Sequence, residues 1–165
     1  MKRAPDDTGA AATAATAATP VTTAATGSPR PWLLDTSAIL TLIEDEPGAD
    51  RVAQALRQPT TIVPWPVLLE THYATLREEG QAEADRRIAL IKQLKVEILW
   101  GMDEATLLTA SKLKAERRVS LADALVAAFA IRRGAVLLHK DPEFDALTGL
   151  LPMEALPYKA SADSS

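Results

Sequence analysis

Cysteine is absent from all 165 residues of the chain. The protein therefore has no disulfide scaffold, no cysteine-ligated zinc site and no thiol nucleophile, so its chemistry must use oxygen groups and the two histidines. The absence also fits a reducing compartment, and we expect a cytoplasmic protein. Because no run approaches the roughly 18 consecutive apolar residues that span a bilayer, we expect no part of the protein in a membrane.

Excess positive charge is also missing. The net charge is −4, to which residues 1–30 contribute three basic and two acidic residues. The remaining 15 basic and 20 acidic residues give residues 31–165 a net charge of −5. A strongly basic nucleic-acid surface is therefore excluded, and any binding to nucleic acid would depend on local patches and metal ions.

Glycine-rich phosphate loops are missing as well. The sequence contains neither Gly-x-Gly-x-x-Gly nor a Walker loop, and no Asp-x-Asp follows the first apolar run. These absences argue against a nucleotide- or phosphate-handling enzyme of the α/β class.

Residues 1–30 have the composition of a tail. From Gly9 to Pro29 the chain is almost entirely Ala, Thr, Gly, Pro and Ser, with Val21 as the one large apolar residue. Such a segment cannot bury enough surface to offset the entropy lost on ordering. We predict a disordered tail, with an upstream extension from a wrongly chosen start codon or a cleaved targeting segment as alternatives. The folded domain is predicted to occupy residues 31–165.

After Pro31, short apolar strands alternate with helices. Strands are predicted at residues 32–34, 60–63, 96–100 and 135–138, with a last one after Pro152. Helices are predicted at residues 35–43, 48–56, 66–77, 81–95, 103–118 and 120–133, with a short one from Asp141. This alternation is typical of an α/β fold with a mostly parallel sheet. In such folds, ligands bind beyond the carboxyl ends of the strands.

Four acidic residues lie where apolar elements begin or end: Asp35, Glu70, Asp123 and Asp141. Asp35 and Asp141 follow predicted strands, where each could simply cap the next helix. Asp123 could complete a capping box with Ser120, but a long apolar stretch follows it. Glu70 lies beyond the first turn of its helix, where neither a cap nor a nearby cation explains it.

A common metal site would explain all four acids. Carboxylates brought together without cations raise one another's pKa values, so such a cluster is stable mainly when a cation or a basic group fills it. Oxygen ligands suit Mg²⁺ or Mn²⁺, which can polarise a phosphoryl oxygen and activate a water molecule. The sequence therefore predicts an acidic crevice that binds a divalent cation.

The acids also lie in motifs that resemble the PIN domain, and most closely the VapC-type toxins of bacterial toxin–antitoxin pairs. The motifs are Asp-Thr-Ser-Ala at 35–38, Glu70 early in a helix, Ser-Leu-Ala-Asp-Ala at 120–124, and Leu-Leu-His-Lys-Asp-Pro-Glu-Phe at 137–144. The resemblance spans about residues 32–151 and implies a three-layer α/β/α fold with a short, mostly parallel central sheet.

The resemblance implies an endoribonuclease, dependent on Mg²⁺ or Mn²⁺, that cleaves RNA by metal-activated water and leaves a 5′-phosphate and a 3′-hydroxyl. Asp35 and Asp123 would be the principal metal ligands, and Asp141 would bind the same or a second ion. Glu70 would complete the pocket and orient the attacking water, and Ser37 would support the metal shell. A homodimer and a cognate antitoxin are also implied.

One position departs from the family pattern. His139 stands where the family usually has a small hydroxyl residue, two places before the last acid, so it could contact a phosphate, tune Asp141 or be a bystander. Basic residues cluster around two of the acids and are candidate phosphate contacts, although cations also favour helix C-termini. They are Lys112, Lys114, Arg117, Arg118, Arg132, Arg133 and Lys140.

Two alternatives keep the same fold. A PIN nuclease that processes RNA outside a toxin–antitoxin pair would share the chemistry. A PIN domain retained as an inactive binding module, with His139 or poor metal affinity as the cause, would share only the fold. The acidic run at residues 44–46 is interpreted simply as a solvated helix end.

Overall fold

The computed structural model describes residues 29–158, which form a five-stranded parallel sheet flanked by helices. The strand order is β3-β2-β1-β4-β5, and all four neighbouring pairs are parallel. The strands are β1 (Trp32–Leu34), β2 (Thr61–Pro64), β3 (Glu97–Leu99), β4 (Val136–His139) and β5 (Met153–Ala155). The predicted α/β class and parallel central sheet are confirmed.

Six α-helices and a short 3₁₀-helix connect these strands within the described residues. They are α1 (Thr36–Ile43), α2 (Ala49–Leu56), α3 (Trp65–Glu79), α4 (Gln81–Gln93), α5 (Glu104–Glu116), α6 (Leu121–Arg133) and the 3₁₀-helix Pro142–Leu147. Side chains of Asp35, Asp103 and Ser120 cap the starts of α1, α5 and α6. Gly134 ends α6 with a φ of 59°, a conformation that glycine adopts without strain.

The core lies around β1, β4 and α6. Leu33, Leu34, Leu137 and Leu138 are wholly buried on the two central strands. Helix α6 carries the apolar run that follows Asp123, and its residues from 126 to 130 are all buried. Because a central parallel strand is covered by helices on both faces, its residues are apolar without alternation.

The central strands bring two of the predicted acids to one edge. Leu34 of β1 pairs with Leu138 of β4, and the Asp35 N–H donates to the Leu138 carbonyl at 3.1 Å. The loop that follows β4 contains Asp141. The carboxyl ends of β1 and β4 therefore meet beside Asp35 and Asp141, as expected for a site in this class of fold.

A buried arginine ties three helices together on another side of the molecule. Arg87 of α4 is 6% exposed and donates to Glu44 at 2.8 Å, to Glu79 at 2.6 Å and to Glu83 at 3.1 Å. These carboxylates lie at the end of α1, at the end of α3 and on α4. The expectation of a solvated acidic run at residues 44–46 agrees with the exposure of Glu44 and Asp45, although Glu44 also pairs with Arg87. It was wrong for Glu46, which is 16% exposed and pairs with Lys140.

We expect Arg87→Ala to lower the free energy of unfolding by about 2 kcal/mol. Removing one partner of a buried ion pair typically costs about 3–5 kcal/mol, and the partial exposure of these glutamates reduces that figure. Urea denaturation measures the change. Arg86→Ala is the matched control, because Arg86 also pairs with Glu83 but is 55% exposed, and it should leave the free energy of unfolding nearly unchanged. Equal costs for the two variants would contradict the assignment.

Residues 1–28 and 159–165 lie outside the described part of the chain. The predicted tail and the ends of the predicted domain therefore stay predictions, apart from Pro29 and Arg30, which show no regular secondary structure. Among residues 29–158, no helix has the length and apolar character needed to cross a membrane.

Candidate functional site

Asp35 lies at the junction between β1 and α1 and is 3% exposed. Its Oδ2 accepts hydrogen bonds from the Ser37 N–H at 3.1 Å and from the Ser37 hydroxyl at 2.7 Å. Its Oδ1 is buried and has no hydrogen-bond partner among the described residues. Because an unpartnered buried carboxylate oxygen is costly, Oδ1 is the first candidate for a cation ligand.

Ser37 connects this carboxylate to the loop after β4. The hydroxyl that donates to Asp35 also accepts a hydrogen bond from the Lys140 N–H at 2.7 Å. A single side chain thus holds the start of α1 against the residue that precedes Asp141. This geometry fits the supporting role predicted for Ser37.

Glu70 is half-buried on α3 and is held by a residue of α1. The Thr36 hydroxyl donates to Glu70 Oε2 at 2.7 Å, and the Tyr73 hydroxyl donates to Oε1 at 3.4 Å. Neither partner is a cation, in agreement with the sequence, where no basic residue explained Glu70. Since Thr36 follows Asp35 directly, the Thr36–Glu70 bond brings Glu70 close to the end of β1.

Asp123 occupies the first turn of α6 and is 6% exposed. The capping box with Ser120 is present: the Ser120 Oγ accepts from the Asp123 N–H at 3.0 Å, and Asp123 Oδ2 accepts from the Ser120 N–H at 3.3 Å. The apolar residues that follow keep the start of α6 in the core. Capping and burial therefore act together on this carboxylate.

Asp141 caps the 3₁₀-helix, because its Oδ1 accepts from the Glu143 N–H at 2.8 Å. Glu143 in turn reaches towards α6, where its Oε2 accepts from the Ser120 N–H at 3.2 Å. The hydrogen bonds of Asp35, Asp123 and Asp141 each involve a single carboxylate oxygen. Helix capping thus orients these groups and does not compete with a role as ligands.

The pKa values show that the carboxylates influence one another. Burial raises the pKa of Asp35 to about 7, and the charge of Asp123 adds to the increase. Burial also raises the pKa of Asp123, and the charges of Asp141 and Glu70 add to it. The charges of Asp141 and Glu70 thus act on Asp123, and the charge of Asp123 acts on Asp35, so the four acids form one acidic edge at the carboxyl ends of β1 and β4.

The four acids offer carboxylate oxygens as ligands, which suit a hard cation such as Mg²⁺ or Mn²⁺. Within residues 29–158, no three Asp, Glu or His side chains already lie close enough to share an ion directly. Like charges without a cation spread apart, and Mg²⁺ commonly keeps several waters in its shell. The unpartnered Asp35 Oδ1 and the absence of ion pairs to the four acids among the described residues fit a cation held partly through water.

His139 is 1% exposed at the end of β4 and packs on Phe144, with ring centroids 4.9 Å apart. Its Nδ1 lies 2.9 Å from the Asp141 carbonyl oxygen, and since a carbonyl can only accept, Nδ1 carries the hydrogen. Burial lowers the pKa of His139, which keeps the ring neutral near pH 7. The ring is too buried to offer a phosphate contact, and it holds the backbone of Asp141.

The predicted phosphate contacts fall into two groups. Lys140 donates to Glu46 at 2.8 Å in a largely buried ion pair, and Lys114 donates to the Val119 carbonyl at 2.7 Å. Both amines therefore already have partners within the protein. Arg133 likewise pairs with Glu97. Four others are exposed, and their roles stay predictions: Lys112, Arg117, Arg118 and Arg132.

Two residues of the site were not assigned a role from the sequence. Thr36 positions Glu70 across 34 residues of chain, and Glu143 adds a fifth carboxylate between Asp141 and the start of α6. Both stand inside the motifs at 35–38 and 137–144, which is the signal that could have identified them. Their contacts depend on elements that are distant in the chain.

Comparisons with known proteins bear on the family and the fold. A family model, the PIN domain, matches residues 32–150. VapBC2 of Rickettsia felis bound to a DNA fragment from its promoter has a TM-score of 0.64 and 17% identity, with 77% of this chain and 99% of that chain covered. A toxin–antitoxin complex from Klebsiella pneumoniae has a TM-score of 0.59 and 14% identity, with 77% of this chain and 98% of that chain covered.

A third similar structure is Mycobacterium tuberculosis VapC20, a toxin that cleaves the sarcin–ricin loop. Its TM-score is 0.58 and its identity is 20%, with 70% of this chain and 94% of that chain covered. A search of curated protein sequences found no match. Because the family model matches residues 32–150, well over half of the chain, the protein belongs to the PIN domain family.

Proposed function

We propose that the protein is a divalent-metal-dependent endoribonuclease and the toxin of a toxin–antitoxin pair. The observation that carries the proposal is the acidic edge itself: four carboxylates from separate elements converge there, and the buried Asp35 Oδ1 has no partner among residues 29–158. The similarity to toxin–antitoxin complexes and to a toxin that cleaves the sarcin–ricin loop supports the biological role.

Asp35, Asp123 and Asp141 would hold the cation, directly or through water. When bound, a divalent cation polarises the scissile phosphoryl oxygen and lowers the pKa of the attacking water. Ser37 keeps Asp35 in its orientation through two hydrogen bonds. His139 Nδ1 donates to the Asp141 carbonyl and so holds the backbone of that residue. The Glu143 N–H donates to the Asp141 carboxylate and orients it.

Hydrolysis then needs a positioned water and a route for its proton. Glu70, which is half-buried and accepts a hydrogen bond from Thr36, would orient that water and accept its proton. The water oxygen forms a new bond to phosphorus while the bond from phosphorus to the 3′ oxygen breaks. The 3′ oxygen takes up a proton, so the products are a 3′-hydroxyl and a 5′-phosphate.

An antitoxin peptide would cover part of this protein. An apolar cleft of about 350 Å³ lies between α1 and α4, lined mainly by Leu42, Ile43, Leu90 and Leu94 together with Ile39. Such a cleft suits the apolar side chains of an amphipathic helix. Co-purification of the protein with the product of a neighbouring small reading frame tests this partner, and a stable free protein beside that product would contradict it.

A homodimer is proposed from exposed leucines on a different surface. Leu107 and Leu108 of α5 and Leu121 of α6 are between 49% and 62% exposed. Leu107 and Leu121 also border an apolar cavity of about 370 Å³. Grouped apolar exposure of this kind marks interaction surfaces. Light scattering of the purified protein tests the assembly, and a monomer at high concentration would contradict it.

Cleavage of RNA should require a divalent cation. We expect fragments from bacterial RNA in the presence of Mg²⁺ or Mn²⁺ and none in EDTA, because the carboxylate oxygens of the site suit a hard divalent cation. Gel analysis of the fragments, with 5′-end labelling before and after phosphatase treatment, measures both cleavage and end chemistry. Asp35→Asn protein purified in parallel controls for contaminating ribonucleases. Cleavage that resists EDTA would contradict the proposal.

The same experiment separates the alternatives. A PIN domain retained as a binding module would bind RNA with no cleavage under either metal. A processing nuclease outside a toxin–antitoxin pair would cleave RNA, but its induced expression would not arrest growth. The proposal requires both cleavage and growth arrest.

A further inference from the structure

One face of α3 continues outward from the acidic edge. Glu70, Tyr73 and Arg77 are spaced three and then four residues apart, so their side chains lie along the same side of the helix. The Tyr73 hydroxyl donates to Glu70 Oε1 at 3.4 Å. Arg77 lies about 10 Å along the helix axis from Glu70, given a rise of about 1.5 Å per residue.

Tyr73 is one of only two tyrosines in the chain and is 48% exposed. The charge of Glu70 is the main cause that raises the pKa of Tyr73, so the phenol stays protonated and neutral. A neutral aromatic ring beside a phosphodiester site offers a flat surface on which a nucleic acid base can stack. Because the Tyr73 ring is exposed, a base of the RNA can reach it, whereas a ring in the core would be inaccessible.

Arg77 supplies a positive charge on the same face. Its side chain is 71% exposed, and its ion-pair partner is the neighbouring Glu78, whose side chain is 63% exposed. Such a surface pair is worth little and breaks readily in favour of a phosphate. In contrast, Lys140 and Lys114 are held by contacts within the protein.

We propose that α3 guides a single-stranded segment of RNA away from the acidic edge, with one base stacked on Tyr73 and one phosphate paired with Arg77. The inference rests on the proposed ribonuclease function and adds two residues outside the acidic edge that hold the RNA. A base inside a duplex is stacked on its neighbours and cannot stack on a side chain. The site therefore selects an unpaired stretch such as a loop or an end.

A second copy of the chain is the competing occupant of this surface. Tyr73 also neighbours Leu69 and Leu76, which are 56% and 39% exposed on the adjoining side of α3. The hydroxyl contact with Glu70 and the charge of Arg77 favour RNA over an apolar partner. Leu76→Ala distinguishes RNA from a second copy of the chain as the occupant. It removes an exposed apolar side chain and leaves the Tyr73 ring and the Arg77 guanidinium in place.

Fluorescence anisotropy with labelled oligoadenylate tests the inference in an Asp35→Asn background, which binds RNA without cutting it. Oligoadenylate annealed to oligouridine is the duplex control. Tyr73→Ala should weaken binding of the single strand by about 5- to 150-fold, the usual range for loss of one stacked base. Tyr73→Phe should stay within about twofold, because the ring remains.

The dependence of RNA affinity on salt concentration tests the predicted phosphate contact of Arg77. Arg77→Gln should lower the slope of log affinity against log salt concentration by about 0.7, as expected for the loss of one phosphate contact on a single strand. Arg86→Gln is the matched control, since Arg86 is an exposed arginine on α4 in a similar carboxylate pair. Its slope should equal that of the background.

Three results would overturn the inference: unchanged binding by Tyr73→Ala, equal affinity for the strand and the duplex, or an effect of Leu76→Ala as large as that of Tyr73→Ala. An Asp35→Asn protein that binds no oligoadenylate would overturn it as well. Cleavage by the native protein is scored separately. Metal-dependent cleavage with unchanged Tyr73→Ala binding leaves the proposed function standing, whereas absence of cleavage rejects the function itself.

Discussion

Asp35→Asn should reduce metal-dependent RNA cleavage by on the order of 1,000-fold, since a metal site supplies several kcal/mol of transition-state stabilisation and each 1.36 kcal/mol is tenfold in rate. Asparagine has nearly the shape of aspartate and can still cap α1 by accepting from the Ser37 N–H. The variant therefore keeps the fold and loses the charge of the ligand.

Initial rates of fragment release measure this loss, and induced expression in bacteria gives a second readout. We expect growth arrest from the native protein and none from Asp35→Asn. Asp50→Asn is a suitable control, because Asp50 is exposed on α2 and its removal should change the rate by about twofold or less. Equal cleavage or equal growth arrest by native protein and Asp35→Asn would contradict the assignment of the site.

The metal-free Asp35→Asn protein should also be more stable than the native protein above pH 7, by up to about 4 kcal/mol. The pKa of Asp35 is raised from 3.8 to about 7 in the folded state, and each unit corresponds to about 1.36 kcal/mol. Between these two values the folded protein keeps a proton that the unfolded chain releases. The contribution of Asp35 to stability therefore decreases as the pH rises from about 4 to 7.

Asparagine cannot ionise, so the variant avoids this penalty. The stability difference between the variant and the native protein should be largest above pH 7 and should vanish near pH 4. Comparing the two proteins cancels the titration of the other groups. Urea denaturation in EDTA at pH 8, 6 and 4 measures the difference. Equal stabilities at pH 8 would show that burial of the Asp35 carboxylate carries no cost.

Addition of Mg²⁺ should make the native protein more stable than the Asp35→Asn variant. A cation that binds only the folded state stabilises it by mass action, and it also removes the electrostatic penalty at Asp35 and Asp123. The thermal midpoint of the native protein should rise with Mg²⁺ concentration, while that of Asp35→Asn should change little. A similar rise in both proteins would show that the ion binds elsewhere.

Local features of the fold could be predicted from the sequence because they depend on neighbouring residues. Asp35, Ser120 and Gly134 mark helix ends through side chains or φ angles that act within a few positions. The strand and helix ranges were confirmed for the same reason, with ends that differ by one or two residues. The alternation of these elements was enough to predict a parallel sheet.

Contacts between distant elements could not be predicted in this way. Lys140 was a candidate for phosphate binding and the run that contains Glu46 was read as solvated, yet the two side chains pair across 94 residues. Arg87 lies in the helix predicted at residues 81–95 and had no role assigned from the sequence, but it is buried among three glutamates. Which cation meets which carboxylate depends on how the helices pack, and spacing along the chain does not contain that information.

The sequence by itself determined the elements, the parallel α/β class and the identity of the four acids, because capping, periodicity and motif spacing are local properties. The tertiary structure alone decided that Asp35, Glu70, Asp123 and Asp141 influence one another at one edge, that Thr36 holds Glu70, and that Asp35 Oδ1 is buried without a partner. Burial and mutual repulsion exist only once the sheet and helices have packed. They raise the pKa of Asp35 and make the edge a place where a cation would stabilise the protein.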